Sequence, residues 1–444
     1  MKQILITAMH SGAGKTIVTC SLLATLKKRG TDVHAFKCGP DYIDPMFHTK
    51  VLGIPSRNLD LFLQGKDAVR SSVALHGGEF AVLEGAMGYY DGINGTDEAS
   101  AFAVADLLSC PSILVVRPGG SMLTLAAQIR GMTAFRRDSH LVGILLNGCR
   151  ESLAGSLMPV LERETGLPVL GFLPPMEEAV LESRHLGLLT AEEIKDLSAR
   201  FAALSAQMER TVDLDALLRL ASLCDGEKPK RKKSPRACTI AVAKDEAFCF
   251  CYADSLEALE NAGAELVFFS PLRDRALPEE AGGLYLCGGY PELYAGRLAE
   301  NAAMRQSVCE AVNSGLPTVA ECGAFLYLQQ MLENERKEIF PMCGCFPGTG
   351  FQTGSLQRFG YEWLLAEDNS LLFRKGERIP AHEFHYWDCT ENGSDLCVVK
   401  PNGKTWRCGY TGPACYAAFP HLHLGGELPL AERFVEACIS YAEG

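Results

Sequence analysis

The run "ILITAMHSGAGKTIVTC" places an apolar, strand-like segment, a glycine-containing turn and the start of an amphipathic stretch in immediate succession. That succession predicts a strand, a tight loop and a helix, the repeating unit of a parallel sheet. The alternation continues through "DVHAFK", "FAVLEGAM", "SILVVR" and "LVGILLNG". Their apolar runs suit strands covered on both faces. Near residue 226 the pattern stops at "GEKPKRKKSPR", which is too charged to bury and reads as a solvated linker. It resumes with "CTIAVAKD", "AELVFFSP", "GLYLCGGYPE" and "PTVAECGAFLYL". The expected organisation is an α/β unit over residues 1–225, a basic linker over 226–237 and a second α/β unit over 238–444, with no internal repeat.

Composition narrows the partners. With 47% hydrophobic and 22% charged residues the chain resembles an ordinary soluble protein, and a net charge of -12 argues against nucleic acid as a partner. No apolar run reaches the length of a membrane span and "MKQILITAMHSG" lacks the features of a signal peptide, so the expected compartment is the cytoplasm. The 18 cysteines are scattered through strand-like and helix-like runs as small apolar residues rather than grouped as metal ligands.

The first turn ends in Gly14-Lys15-Thr16, as a phosphate-binding loop does, but Met9 stands where G-x-x-x-x-G-K-[ST] has its first glycine. A loop one residue longer removes the anomaly, with Ala8 in the glycine's place. Backbone N–H groups of Ser11, Gly12, Ala13 and Gly14 would then form an anion nest at a helix N-terminus beginning near Lys15. Lys15, on an exposed loop, would reach the outer phosphates of ATP, and the Thr16 hydroxyl would ligate Mg²⁺. The longer loop resembles that of the dethiobiotin synthetase group, whose members activate a carboxylate with ATP.

Further acids fall at strand ends. "FKCGPDYIDPMFH" brings Lys37, Asp41 and Asp44 together after the second strand, where carboxylates can hold Mg²⁺ among phosphates or order the loop as Asx turns. "VLEGAMGYYDG" sets Glu84 directly after a buried strand, where a lone carboxylate needs a partner, with Asp91 seven residues on. Asn147 in "ILLNG" either hydrogen-bonds a purine or shapes a turn.

In the second half, Cys322 lies between a strand and a helix, an accessible position where a helix dipole favours the thiolate. The backbone N–H groups of Gly288 and Gly289 in "LCGGYPE" suit an oxyanion hole. His421 and His423 in "FPHLHL" are both candidate bases, and their alternation allows only one to reach the thiol.

The extended loop, "GPDYIDP", "EGAMGYYDG", "SRHLGL", "VAKDEAFCF", "GLYLCGGYPEL", "AECGAFLYL", "AHEFHYW" and "HLHL" occur in an order and spacing similar to those of the cobyrinate a,c-diamide synthase family, across essentially the whole chain. The resemblance implies an N-terminal dethiobiotin-synthetase-like P-loop NTPase domain built on a parallel sheet and a C-terminal class I glutamine amidotransferase-like α/β domain. It implies ATP- and glutamine-dependent amidation of the a and c acetates of a cobalt corrinoid, with Mg²⁺, through an acyl phosphate. Lys37 and Asn147 would join the loop in binding ATP; Thr16, Asp44 and Glu84 would hold Mg²⁺; Asp41, Tyr42, Ile43, Tyr90 and Asp91 would touch the corrinoid. The same resemblance favours His421 over His423 beside Cys322, makes Asp97 a candidate for handling ammonia, and leaves the third member of the triad open, Glu383 included. Arg117, Ala324 and the looser "CYAAFPHLHL" depart from the pattern and leave substrate preference and the active histidine open. Nickel sirohydrochlorin as the substrate, cobyrate synthase, and an ATPase of the partitioning type are the alternatives. Oligomeric state is open, a homodimer included.

Overall fold

The computed structural model describes residues 1–179, 197–223 and 233–443. The chain divides into two compact units, Met1–Pro229 and Lys230–Gly444. Among the described residues no helix is long and apolar enough to cross a membrane.

The first unit is built on the parallel strands β1 (Lys2–Ala8), β2 (Val33–Cys38), β3 (Ser56–Leu59), β4 (Phe80–Glu84), β5 (Ser112–Val116), β6 (Leu141–Asn147) and β7 (Val169–Leu173), in the order β3-β2-β4-β1-β5-β6-β7. Consecutive residues of β1 feed opposite faces: Leu5 packs with Phe36, Leu83 and Leu114, whereas Ile4 and Ile6 pack with Val82, Ile113 and Leu145. Two cores therefore sandwich the sheet, as its uninterrupted apolar strands require. The helix α1 (Lys15–Lys28) follows β1, as expected, and carries Lys27 and Lys28 in its last turn, where they complement the helix dipole. The order reverses direction at β1, and ligands of open parallel sheets bind at such a switch, beyond the carboxyl ends of the strands.

The second unit has a sheet in the order Ala264–Phe269, Cys238–Ala243, Gly283–Leu286, Thr318–Glu321, Cys415–Ala418 and Tyr410–Gly412, parallel except for the last strand. A second sheet is dominated by the long pair Phe346–Ala366 and Arg378–Cys389. The two expected α/β architectures are therefore both present. No disulfide joins two cysteines among the described residues.

Candidate functional site

In the first unit the turn after β1 is held by glycines with left-handed backbones, Gly12 at φ 81° and Gly14 at φ 93°. A side chain on Gly14 would also collide with the amide of Asn147, which donates to the Ala13 carbonyl at 2.9 Å. Asn147 thus braces the loop from the end of β6. Ser11 is exposed and Ala13 buried. Lys15 is not on an exposed loop as expected: it is only 8% exposed, and its ammonium donates to the carbonyls of Met87 and of His10, the latter at 3.3 Å. Burial and the neighbouring Lys37 ammonium lower Lys15 to about 8. The loop folds back over it, a contact the local sequence does not reveal.

Strand register assembles the rest. Lys37 of β2 lies opposite Glu84 of β4, and their side chains meet at 3.1 Å. Lys37 also pairs with Asp44, in the short helix Ile43–Met46. The Thr16 hydroxyl donates to Glu84 Oε1 at 2.7 Å and lies 3.4 Å from both Asp44 oxygens. His48 Nε2 stands 3.4 Å from Glu84 Oε2. Burial and the Glu84 charge raise Asp44, whereas Glu84, despite burial, is held well below the usual carboxylate range by Lys37 and His48. Asp41 forms the Asx turn, accepting from the Ile43 and Asp44 amides at 2.8 and 3.3 Å. Asn58, which the sequence reading missed, donates to the Gly39 and Asp41 carbonyls at 2.9 and 2.7 Å. Tyr42 and Ile43 sit on this same turn.

The segment after β4 carries Tyr90 and Asp91. The Asp91 carboxylate accepts from the Gly88 amide at 3.1 Å. The Tyr90 hydroxyl donates to the Met132 carbonyl at 2.7 Å, with its ring against Phe102 and Phe135, both at 5.0 Å. Asp97 is engaged with Arg136 at 2.7 Å. "SRHLGL" lies outside the described residues.

In the second unit Glu321 ends its strand and Cys322 makes the turn into the helix Gly323–Leu328 with φ 49° and ψ −106°. The Cys322 amide donates to the Ala418 carbonyl at 2.8 Å. Cys322 is not accessible as expected but 7% exposed, and burial, with the Glu292 and Glu383 charges, pushes its thiol well above the ordinary value. A six-residue helix does not overcome that desolvation.

His421 lies against this turn. A Cβ on Gly288 would fall 2.5 Å from its Cε1, so the ring packs on bare backbone. Gly289 is equally close-packed, its carbonyl 2.8 Å from where a Cβ on Gly323 would stand. His421 Nδ1 is 3.4 Å from Glu321 Oε2, while Glu321 Oε1 accepts from the Leu422 amide at 3.1 Å. The His421 ring also stacks on His382, with centroids 5.0 Å apart. His423 instead faces Tyr252 at 4.8 Å, and burial lowers it to about 4. Glu383 pairs with His385 at 2.7 Å, so the acid beside His421 is Glu321. Its signal was present in "AEC", an acid closing a buried strand, as Glu84 does in the first unit.

Residues 4–188 match the CobQ/CobB/MinD/ParA nucleotide binding domain family, and residues 239–427 match the CobB/CobQ-like glutamine amidotransferase domain family. The cobyrinate a,c-diamide synthase of Clostridium acetobutylicum is 38% identical, the alignment covering 98% of this chain and all of that one. Those of Clostridium tetani and Caldanaerobacter subterraneus subsp. tengcongensis are each 36% identical, covering 98% of this chain and 100% and 98% of theirs. With relatives aligned along nearly its whole length, the chain belongs to the cobyrinate a,c-diamide synthase family and is a glutamine-dependent ligase with a nucleotide-binding P-loop domain.

Proposed function

We propose that the protein converts the a and c acetate carboxylates of cobyrinate to amides, using ATP and glutamine. A carboxylate does not react with ammonia at neutral pH because oxide is too poor a leaving group. Transfer of the γ-phosphoryl of ATP to the carboxylate gives an acyl phosphate, whose leaving group is phosphate. Lys15 and the amides of residues 11–14 supply positive potential to the transferring group. Thr16, Asp44 and Glu84 form an oxygen donor set that suits Mg²⁺, with the buried Glu84 Oε2 held only loosely by the His48 ring at 3.4 Å. Bound there, the ion would neutralise phosphate charge.

Ammonia comes from glutamine. The Cys322 sulfur attacks the side-chain amide as its proton passes to His421, and the amide nitrogen leaves as ammonia once protonated by the same ring. Water then releases glutamate from the thioester. With His421 Nδ1 turned toward Glu321, Nε2 is the nitrogen that would take the proton of the thiol, and Gly288 and Gly289 offer amides to the oxyanion. Free ammonia displaces phosphate from the acyl phosphate to give the product amide.

The observation that carries this reading is the Glu321–His421 pair beside the Cys322 turn, in a chain that also bears a phosphate-binding loop. The test is to incubate the protein with ATP, Mg²⁺, glutamine and either cobyrinate or nickel sirohydrochlorin and to weigh the product. The reading expects a doubly amidated cobyrinate. Product from nickel sirohydrochlorin alone would reassign the substrate, more than two amidations would indicate a cobyrate synthase, and ATP hydrolysis indifferent to glutamine would favour the partitioning class.

A further inference from the structure

Among the described residues the buried acids are compensated almost without exception. Asp44 and Glu84 share Lys37, Glu362 has Lys400, Glu383 has His385 and Glu321 faces His421. Asp60 accepts from the Phe62 and Leu63 amides of its own turn, and Asp245 accepts from the Ala247, Phe248 and Leu272 amides. Glu292, 6% exposed, is the exception among the described residues: its own backbone N–H is the single group stabilising its charge, and the one charged group acting on it is another carboxylate, Glu335. A carboxylate withdrawn from water without a counter-charge is unfavourable unless a ligand supplies the charge.

Its position indicates which ligand. Glu292 lies in the turn Pro291–Tyr294, which leaves the Gly288–Gly289 strand directly. A Cβ on Gly323 would stand 2.7 Å from Pro291 Cδ, so this turn packs on the residue next to Cys322. After burial itself, the Glu292 charge is the largest influence raising the Cys322 thiol, ahead of Glu383 and Glu321. The acid without a cation is therefore a neighbour of the sulfur.

Building on the glutaminase reading above, we propose that Glu292 is the counter-ion for the α-ammonium group of the glutamine whose amide Cys322 attacks. That ammonium is the one cation glutamine carries, and it lies roughly 5 Å along the chain from the amide carbon. Each group offsets the other's desolvation when they meet. The free carboxyl, raised to about 8 by burial, ionises when the ammonium arrives.

The experiment compares glutamine with glutaramate, which has the same amide and carboxylate but no ammonium. Ammonia release from each is measured with the full-length protein in the presence of ATP, Mg²⁺ and cobyrinate. Wild-type protein should prefer glutamine by roughly 100-fold in kcat/KM, as expected for a charge-assisted contact. Glu292→Gln should lose most of that preference through a higher KM for glutamine, with little change for glutaramate. Glu292→Asp should keep much of it. Amidation driven by added ammonia should survive in both variants and reports intact folding. Wild-type activity on glutaramate within threefold of that on glutamine overturns the proposal without recourse to any variant, as does a Glu292→Gln protein that still discriminates fully. No ammonia release from glutamine by the wild type would overturn the glutaminase reading instead.

Discussion

The sulfur of Cys322 is protonated in the resting protein because burial disfavours its charged form, so its reactivity depends on a base at hand. His421, backed by Glu321, is in the position to provide one. Glu321→Gln should lower glutamine-dependent turnover by roughly 10²–10⁴-fold by allowing the wrong tautomer of His421, and leave ammonia-dependent amidation intact. His423→Ala should retain glutamine use, since that ring faces Tyr252; equal losses in the His421→Ala and His423→Ala proteins would remove the distinction. Glu292 permits a pH test. Its carboxyl is raised in the folded state, so the stability it contributes is complete below the ordinary carboxylate value and is lost as pH rises through about 8. The Tm of Glu292→Gln relative to wild type should therefore climb between pH 5 and pH 8 without ligand. A flat difference would mean that the carboxyl is solvated.

Pairing between strands creates what no single segment contains. Lys37 and Glu84 are far apart in sequence, and the register of β2 with β4 makes them neighbours. Lys37→Met would leave Asp44 and Glu84 facing each other in a buried site and should cost about 3–5 kcal/mol of stability. Denaturant unfolding measures this, and adding Asp44→Asn to Lys37→Met should restore part of the loss. The limits of sequence reading lie at this scale. The loop after β1, the start of α1 at Lys15 and the acid ending β4 were legible because strand periodicity, glycine and a charged residue after an apolar run are local signals. The partnership of Glu321 with His421, the burial of Lys15 under the Met87 carbonyl and the engagement of Asp97 by Arg136 were not, since each depends on which strands become neighbours. Cys322 was identified by its turn, but its exposure was misjudged because helix-dipole arguments do not count the atoms packed around a residue.

On the scale of the whole molecule, two chemistries with separate residues have to keep pace. Cys322→Ala should abolish amidation from glutamine while high ammonia at alkaline pH restores product, and Lys15→Ala should abolish product from either nitrogen source by roughly 10²–10³-fold or more. The ratio of glutamate to amide formed makes the comparison quantitative. It should lie near one in the wild type and rise sharply in Lys15→Ala if glutamine hydrolysis continues without an acceptor. Loss of ammonia-driven product in Cys322→Ala would exclude independent half-reactions.

The backbone at Cys322 also bears on how this position can evolve. A φ of 49° with ψ near −106° is unfavourable for any residue with a Cβ and is tolerated by glycine. Cys322→Gly should thus be more stable than Cys322→Ala by about 1–3 kcal/mol, although glycine is ordinarily the less stabilising of the two. Neither variant keeps the sulfur, so the difference isolates the conformational term. If it is found, selection has retained at this one site a residue that the fold itself disfavours, and a lineage released from the need for glutamine would be expected to drift toward glycine here before its core changed.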